Sequence, residues 1–179
     1  MSSPTLLTIC GSLRKGSFNR MLLKEAQAAF GPAETLEADL NLPLYDGDLE
    51  QAQGVPQAVK TLAQQVRDAD AVVISSPEYN KGITGVLKNG LDWISRVEGM
   101  PFKDKPTVVM SANAGRTGGE TGQFMVLSCL SPLQALVLPG QMLCVAAAGK
   151  EFDDSGALTN EHYLKVLATR MEALRAAVT

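Results

Sequence analysis

One histidine, three cysteines and one tryptophan are all that 179 residues contain of those types. No two cysteines are spaced as C-x-x-C. With His162 the only imidazole, a Cys/His zinc site is hard to assemble. Cys10, Cys129 and Cys144 lie far apart in apolar segments, which reads as reduced, buried thiols in a cytosolic protein. His162 sits beside Glu161 at the start of the last helical stretch, where exposure is expected. Gly-x-Ser-x-Gly is missing, so a Ser/His/Asp hydrolase is not supported. Basic excess is also lacking: net charge is −3, and the 16 Lys and Arg residues are scattered rather than striped. That disfavours nucleic acid as a partner. Nowhere do about 18 apolar residues run together, and Met1–Thr5 does not begin a basic-then-apolar leader. Neither a membrane span nor export is expected, and the cytoplasm is the expected location.

What is present is an ordinary globular balance, 45% hydrophobic and 20% charged. The length suits one domain over residues 1–179, with no repeat, linker or low-complexity tract. Apolar runs alternate with helix-period stretches throughout. Strands are expected at Leu6–Cys10, Glu34–Leu40, Ala69–Ser75, Thr107–Met110 and Gln141–Ala147. Helices are expected from Phe18 to Phe30 with Ser17 as cap and Gly31–Pro32 as stop, over Pro56–Asp68, and over Val86–Ile94. Two more are expected from about Gln123 until Pro132 ends or kinks it, and from about Asn160 onward. Asn41–Gly54, with one proline and two glycines, reads as a long loop. Strict alternation of five strands and five helices implies an α/β fold: a doubly wound, five-stranded parallel sheet with helices on both faces. The flavodoxin-like strand order 2-1-3-4-5 is one of its two common solutions.

Ligands of such sheets bind beyond the carboxyl ends of the strands. The loops after strands one, three and four are therefore the candidates for chemistry. The first, Gly11–Asn19, leaves a buried strand and enters a helix N-terminus carrying Ser12, Arg14, Lys15, Ser17, Phe18 and Asn19. Hydroxyls, a guanidinium and first-turn amides at one point suit a phosphate monoester. The loop is neither a Walker A sequence nor G-x-G-x-x-G. The second, Ser76–Gly82, offers Pro77, Glu78, Tyr79 and Asn80 as a stiff, flat edge for a planar ring. In the third, Ser111, Gly115, Arg116, Gly118 and Gly119 suggest backbone N–H groups facing a ligand, with Arg116 able to stabilise negative charge.

Gly11-Ser12-Leu13-Arg14, Ser17 and Asn19, then Pro77-Glu78-Tyr79-Asn80, then Leu87-Lys88-Asn89-Gly90-Leu91-Asp92-Trp93 together resemble the NADPH-dependent FMN reductase family. Phe152–Thr159 resembles the family's segment before the last helix, so the likeness covers nearly the whole chain. The resemblance implies a flavodoxin-like fold and bound FMN. It also implies NADPH or NADH as electron donor, with quinones, chromate, azo dyes or ferric complexes as small-molecule acceptors. Ser12, Arg14, Ser17 and Asn19 would hold the FMN phosphate. Pro77–Asn80 would line the isoalloxazine ring, and Ser111 with Gly115–Gly119 would close its other side. One departure is the start of the helix after the third loop, Glu120-Thr121-Gly122-Gln123, where many relatives carry a basic segment. A flavodoxin-type electron carrier without NAD(P)H activity is the alternative reading. The basic Arg14 and Lys15 in the phosphate loop favour the enzyme.

Other candidates are weaker. Asp46, Asp48 and Glu50 could converge on a metal but lack the continuing EF-hand spacing, so a solvated loop is expected and no metal site. Lys81, Arg96 and Arg116 are candidates for the nicotinamide phosphate or for acceptor anions. The amphipathic helix carrying Leu91, Trp93 and Ile94 is expected to be core or to serve a homodimer or a dimer of dimers, as it does in the resembling family.

Overall fold

A computed structural model describes residues 3–178. Strand β1 (Thr5–Cys10) leads to helix α1 (Phe18–Phe30), β2 (Glu34–Glu37), α2 (Gly47–Gln53), α3 (Gln57–Asp68) and β3 (Ala71–Ser75). There follow α4 (Gly85–Ile94), β4 (Pro106–Ala112), α5 (Glu120–Leu130), β5 (Leu136–Val137), β6 (Leu143–Val145), a 3₁₀ turn and α6 (Glu161–Ala176). All strand pairings are parallel, in the order β2-β1-β3-β4-β5, with β6 also on β4. The flavodoxin-like order is therefore the one adopted.

The apolar runs are continuous because successive side chains of the central strands enter opposite cores. Leu6, Cys10, Ala71, Val73, Val108 and Met110 meet α1 and α6 through Leu22, Ala26, Phe30, Leu167 and Met171. Leu7, Ile9, Val72, Ile74 and Val109 meet α3, α4 and α5 through Leu62, Val66, Leu87, Leu91 and Val126. No helix among the described residues is long and apolar enough to cross a membrane.

The expected long loop at 41–54 contains helix α2. Asp46 caps it by accepting from the Asp48 N–H, and acidic side chains in its first turn favour the dipole, but it buries no residue. Without an apolar face it leaves no periodicity to detect. Glu34–Leu40 contracts to the four residues of β2, and Gln141–Ala147 to the three of β6. The two-residue β5 is additional. Helix α5 starts at Glu120, earlier than expected, because Gly119 in the left-handed region turns the chain directly into it. Pro132 does lie just past the end of α5, capped at Ser131.

Of the two expectations for α4, core or interface, the core holds for Leu91, Trp93 and Ile94. Leu91, Trp93 and Ile94 are 3%, 0% and 1% exposed, and the Trp93 Nε1–H donates to the Pro43 carbonyl at 2.7 Å. Their apolar surface is already spent inside the chain.

Candidate functional site

At the carboxyl edge of the sheet, the loops after β1, β3 and β4 converge on a cleft of 150 Å³. It is lined by Ser12, Arg14, Ser17, Phe18, Asn19, Pro77, Tyr79, Ala112, Asn113 and Ala114. The convergence has a local cause: the Gly11 N–H donates to the Ser75 carbonyl, and a Cβ at Gly11 would fall 2.3 Å from Ser76 Oγ. Only glycine lets the first two loops touch there. Thr84 Oγ1 donates to the Gly11 carbonyl and also accepts from the Leu87 N–H, so one hydroxyl both caps α4 and ties it to the first loop.

Ser17 caps α1, accepting from the Asn19 N–H, and Ser12 Oγ accepts from the Arg14 N–H. Both serines are buried. Each hydroxyl oxygen already accepts from backbone, so its proton is what it can offer a ligand, although the Ser17 hydroxyl also bonds the Cys10 thiol. Arg14 is exposed beside them. Two hydroxyl donors, a guanidinium and a helix N-terminus form a donor set that fits a phosphate monoester.

Asn19 is differently employed. Its Nδ2 donates to the Ala112 carbonyl at 2.8 Å, and its Oδ1 accepts from the Ala112 N–H and from Ser75 Oγ, both at 2.9 Å. The amide thus pins the first loop to the ends of β3 and β4 from behind.

The second loop turns back on itself. Tyr79 and Gly82 exchange two backbone hydrogen bonds, with Asn80 and Lys81 between them at φ of 51° and 66°. This is a tight hairpin turn with a non-glycine pair in the left-handed region, a conformation natural for Asn and costly for Lys. It presents Tyr79 half-exposed beside the cleft. Glu78, expected along the ring, turns away: its carboxylate, 7% exposed, accepts from the Gly122 N–H at 3.0 Å and lies 3.4 Å from Lys81 Nζ. The Asn113 side chain meanwhile donates to the Glu78 carbonyl. Glu78 and Asn113 thereby bolt the second loop to the third and to the start of α5.

In the third loop, residues 114–117 are exposed, Arg116 included, whereas Gly118 and Gly119 are buried. Gly118 has φ +63°, and a Cβ on it would lie 2.5 Å from the Cys144 backbone. Ser111 Oγ donates to the Gly118 carbonyl and accepts from Gln123 Nε2, which also donates to the Leu143 carbonyl. Ser111 and Gln123 therefore shape the loop from beneath. Burial pushes the Cys10, Cys129 and Cys144 thiols up from their ordinary range, which keeps them protonated.

Other expected residues lie apart from the cleft. Arg96 Nε donates to both carboxylate oxygens of Glu50 and the guanidinium lies over the Tyr45 ring, clasping α2 to the segment just past α4. Asp46 is spent as the α2 cap. The sequence reading missed Thr84, Asn113 and Gln123. Polar residues at strand ends and helix starts, flanking the three loops, were the available signal.

The model of the NADPH-dependent FMN reductase family matches residues 4–150. The NAD(P)H-dependent FMN reductase of Pseudomonas aeruginosa is 37% identical over 172 residues, covering 95% of this chain and 92% of that protein. The quinone reductase of Escherichia coli is 40% identical over 136 residues, covering 74% and 72%. Among solved structures, the flavoenzyme NAD(P)H:(acceptor) oxidoreductase of Paracoccus denitrificans superposes with a TM-score of 0.86 at 28% identity, covering 98% and 97%. A parallel sheet of order 2-1-3-4-5 with a phosphate-suited cleft at its carboxyl edge, together with these matches, places the chain in the NADPH-dependent FMN reductase family.

Proposed function

We propose that this protein is an FMN-dependent NAD(P)H oxidoreductase that reduces quinones, and in the same way chromate, ferric complexes or similar small acceptors. The observation that carries this reading is the cleft itself: two buried serine hydroxyls and the exposed Arg14 at the N-terminus of α1, with the Tyr79 hairpin beside them. FMN, when bound, supplies the redox chemistry, taking hydride from the nicotinamide and passing electrons to the acceptor.

The residues of the chain bind and orient. Ser12, Arg14, Ser17 and the amide of Phe18 take the phosphate, with Asn19 positioning them. Pro77, Tyr79 and Asn80 flank one edge of the ring, and the backbone of Gly115–Gly119 flanks the other. Lys81 and Arg116, both exposed, face the nicotinamide and the acceptor. The buried carboxylate in this region, that of Glu78, is committed to the Gly122 N–H. It braces the loops rather than shuttling protons.

A homodimer, or a pair of them, is supported by exposed apolar side chains near this loop. Met125 packs within 3.4 Å of where a Cβ on Gly82 would stand, Phe124 adjoins it in sequence, and Tyr79 is half-exposed. Three protonated thiols suit a cytoplasmic setting.

Titration with FMN followed by anaerobic addition of NADH or NADPH tests the function. The bound flavin is expected to bleach with the nicotinamide alone. A protein that takes up no FMN overturns the cofactor assignment, and one that stays yellow is an electron carrier.

A further inference from the structure

Beyond β4 the sheet edge is two short strands, and residues 138–142 bow out between them. Arg170 of α6 reaches into the gap and is 7% exposed. Its Nη1 donates to the Pro139 carbonyl at 2.6 Å and its Nη2 to the Leu138 carbonyl at 3.0 Å, while Nε has no partner. Among the described residues no carboxylate forms an ion pair with it. A buried guanidinium normally has an anion beside it, because desolvating the charge alone is costly.

Two cavities meet at this cation, sharing Pro139, Gly140 and Arg170. The larger, 560 Å³, is lined mainly by apolar side chains such as Val109, Leu127 and Val137. The smaller, 260 Å³, lies along α6 and adds His162, Lys165 and Thr169. No Asp or Glu lines either one. An apolar chamber of this size with a few convergent polar groups at one end is the usual form of a small-molecule site.

We infer that the cavities form a single binding site for a small amphiphilic carboxylate. Its head group lies among Arg170, Lys165 and His162, and its apolar tail fills the chamber beneath Pro139–Gly140. The site is at the lateral edge of the sheet and shares no lining residue with the cleft at the carboxyl end. It is nevertheless connected to it. Gln123 lines the larger chamber and bonds Ser111, which holds the Gly118 carbonyl, so an occupant touches a residue two hydrogen bonds from the third loop.

The test uses FMN-loaded protein with ¹³C-labelled methionine methyl groups, titrated with octanoate, octanol or inorganic phosphate. Met142 lines the larger chamber and Met125 lies beside the second loop, so the two methyls report on different sites. Octanoate is expected to shift Met142 and leave Met125 in place. Octanol, lacking the charge, is expected to bind about ten-fold more weakly, and phosphate, lacking the tail, to leave Met142 unmoved. The double variant His162→Ala/Lys165→Ala, both exposed positions, is expected to weaken octanoate about ten-fold, and Arg170→Gln to weaken it further where it folds. An unmoved Met142, a shift at Met125 alone, a phosphate shift matching octanoate's, octanol binding as tightly, or unchanged affinity in the double variant would each overturn the inference.

Discussion

Asn19→Ala is expected to be among the most damaging single changes at the cleft, although it removes only a small polar group. Asn19 is 2% exposed, and its amide makes three hydrogen bonds to groups that are themselves buried: Ala112 N–H, Ala112 C=O and Ser75 Oγ. Truncation leaves all three without a partner. Each orphaned buried group costs about 1–3 kcal/mol, and the serine hydroxyl can rotate to recover part of its share. The sum is about 3–5 kcal/mol, a large part of the roughly 5–15 kcal/mol that holds a domain folded. Urea unfolding followed by far-UV circular dichroism reads this directly as a shifted midpoint at constant slope.

Asn19→Asp adds a test with a sign. It keeps the acceptor toward Ala112 N–H but sets a carboxylate oxygen against the Ala112 carbonyl, now 2.8 Å from Nδ2. Burial and that carbonyl raise the folded-state pKa of the introduced carboxyl above its unfolded value of about 3.9. A raised folded pKa contributes stability that is complete below the unfolded value and is lost as pH rises through the folded value. The aspartate variant is therefore expected to approach the parent near pH 4 and to fall behind it toward neutrality. A loss under about 1 kcal/mol in the alanine variant, or an aspartate variant whose deficit does not grow with pH, would refute the placement of Asn19 as the pin behind the cleft.

Four further outcomes are expected. Arg14→Ala, at an exposed loop position, should leave the urea midpoint almost unchanged while raising the FMN dissociation constant roughly ten- to hundred-fold, the loss of a charge-assisted bond of about 1.5–3 kcal/mol. Riboflavin, without the phosphate, should not distinguish the two proteins, and an equal loss for both ligands would remove Arg14 from the phosphate site. Gly118→Ala should weaken FMN binding, measured by fluorescence quenching, because its Cβ collides with the Cys144 backbone and φ +63° disfavours a side chain. Native protein at pH 8 should react only slowly with a thiol reagent, all three thiols becoming fast on unfolding, and a single fast native thiol would contradict the upward shifts. Sedimentation at micromolar concentration should give a dimer or tetramer mass, and Met125→Glu should favour the monomer.

Much of the fold was legible because the central strands bury both faces. Ala71-Val72-Val73-Ile74 can hardly be anything but an interior strand, and Ser17, Gly31 and Pro132 mark helix ends by chemistry that operates locally. Helix α2 was hidden because it has no apolar face and is set by one cap. β5 was hidden because two residues carry no period. At the site, the sequence located the three loops but not the direction of each polar side chain. Glu78, Asn19 and Ser111 belong to the types that ligands need, yet the structure turns them toward backbone groups of neighbouring loops. A buried donor or acceptor is satisfied equally well by either, and only the packed chain decides which. Trp93 illustrates the same limit: an apolar helix face looks alike whether a partner or the 41–46 segment covers it.

The two lateral edges of the sheet bear on how the protein behaves when crowded with copies of itself. An uninterrupted edge strand offers unpaired N–H and C=O groups to any other edge it meets, a route to open-ended aggregation. Here one edge is the four residues Glu34–Glu37, with a glutamate at each end, and the other is broken between Val137 and Leu143 by Pro139 and Gly140. Neither edge gives a run long enough to template a foreign strand. The interruption that opens a chamber beside Arg170 thus also protects solubility, and replacing residues 138–142 with a continuous β-forming segment would trade a cavity for a sticky edge.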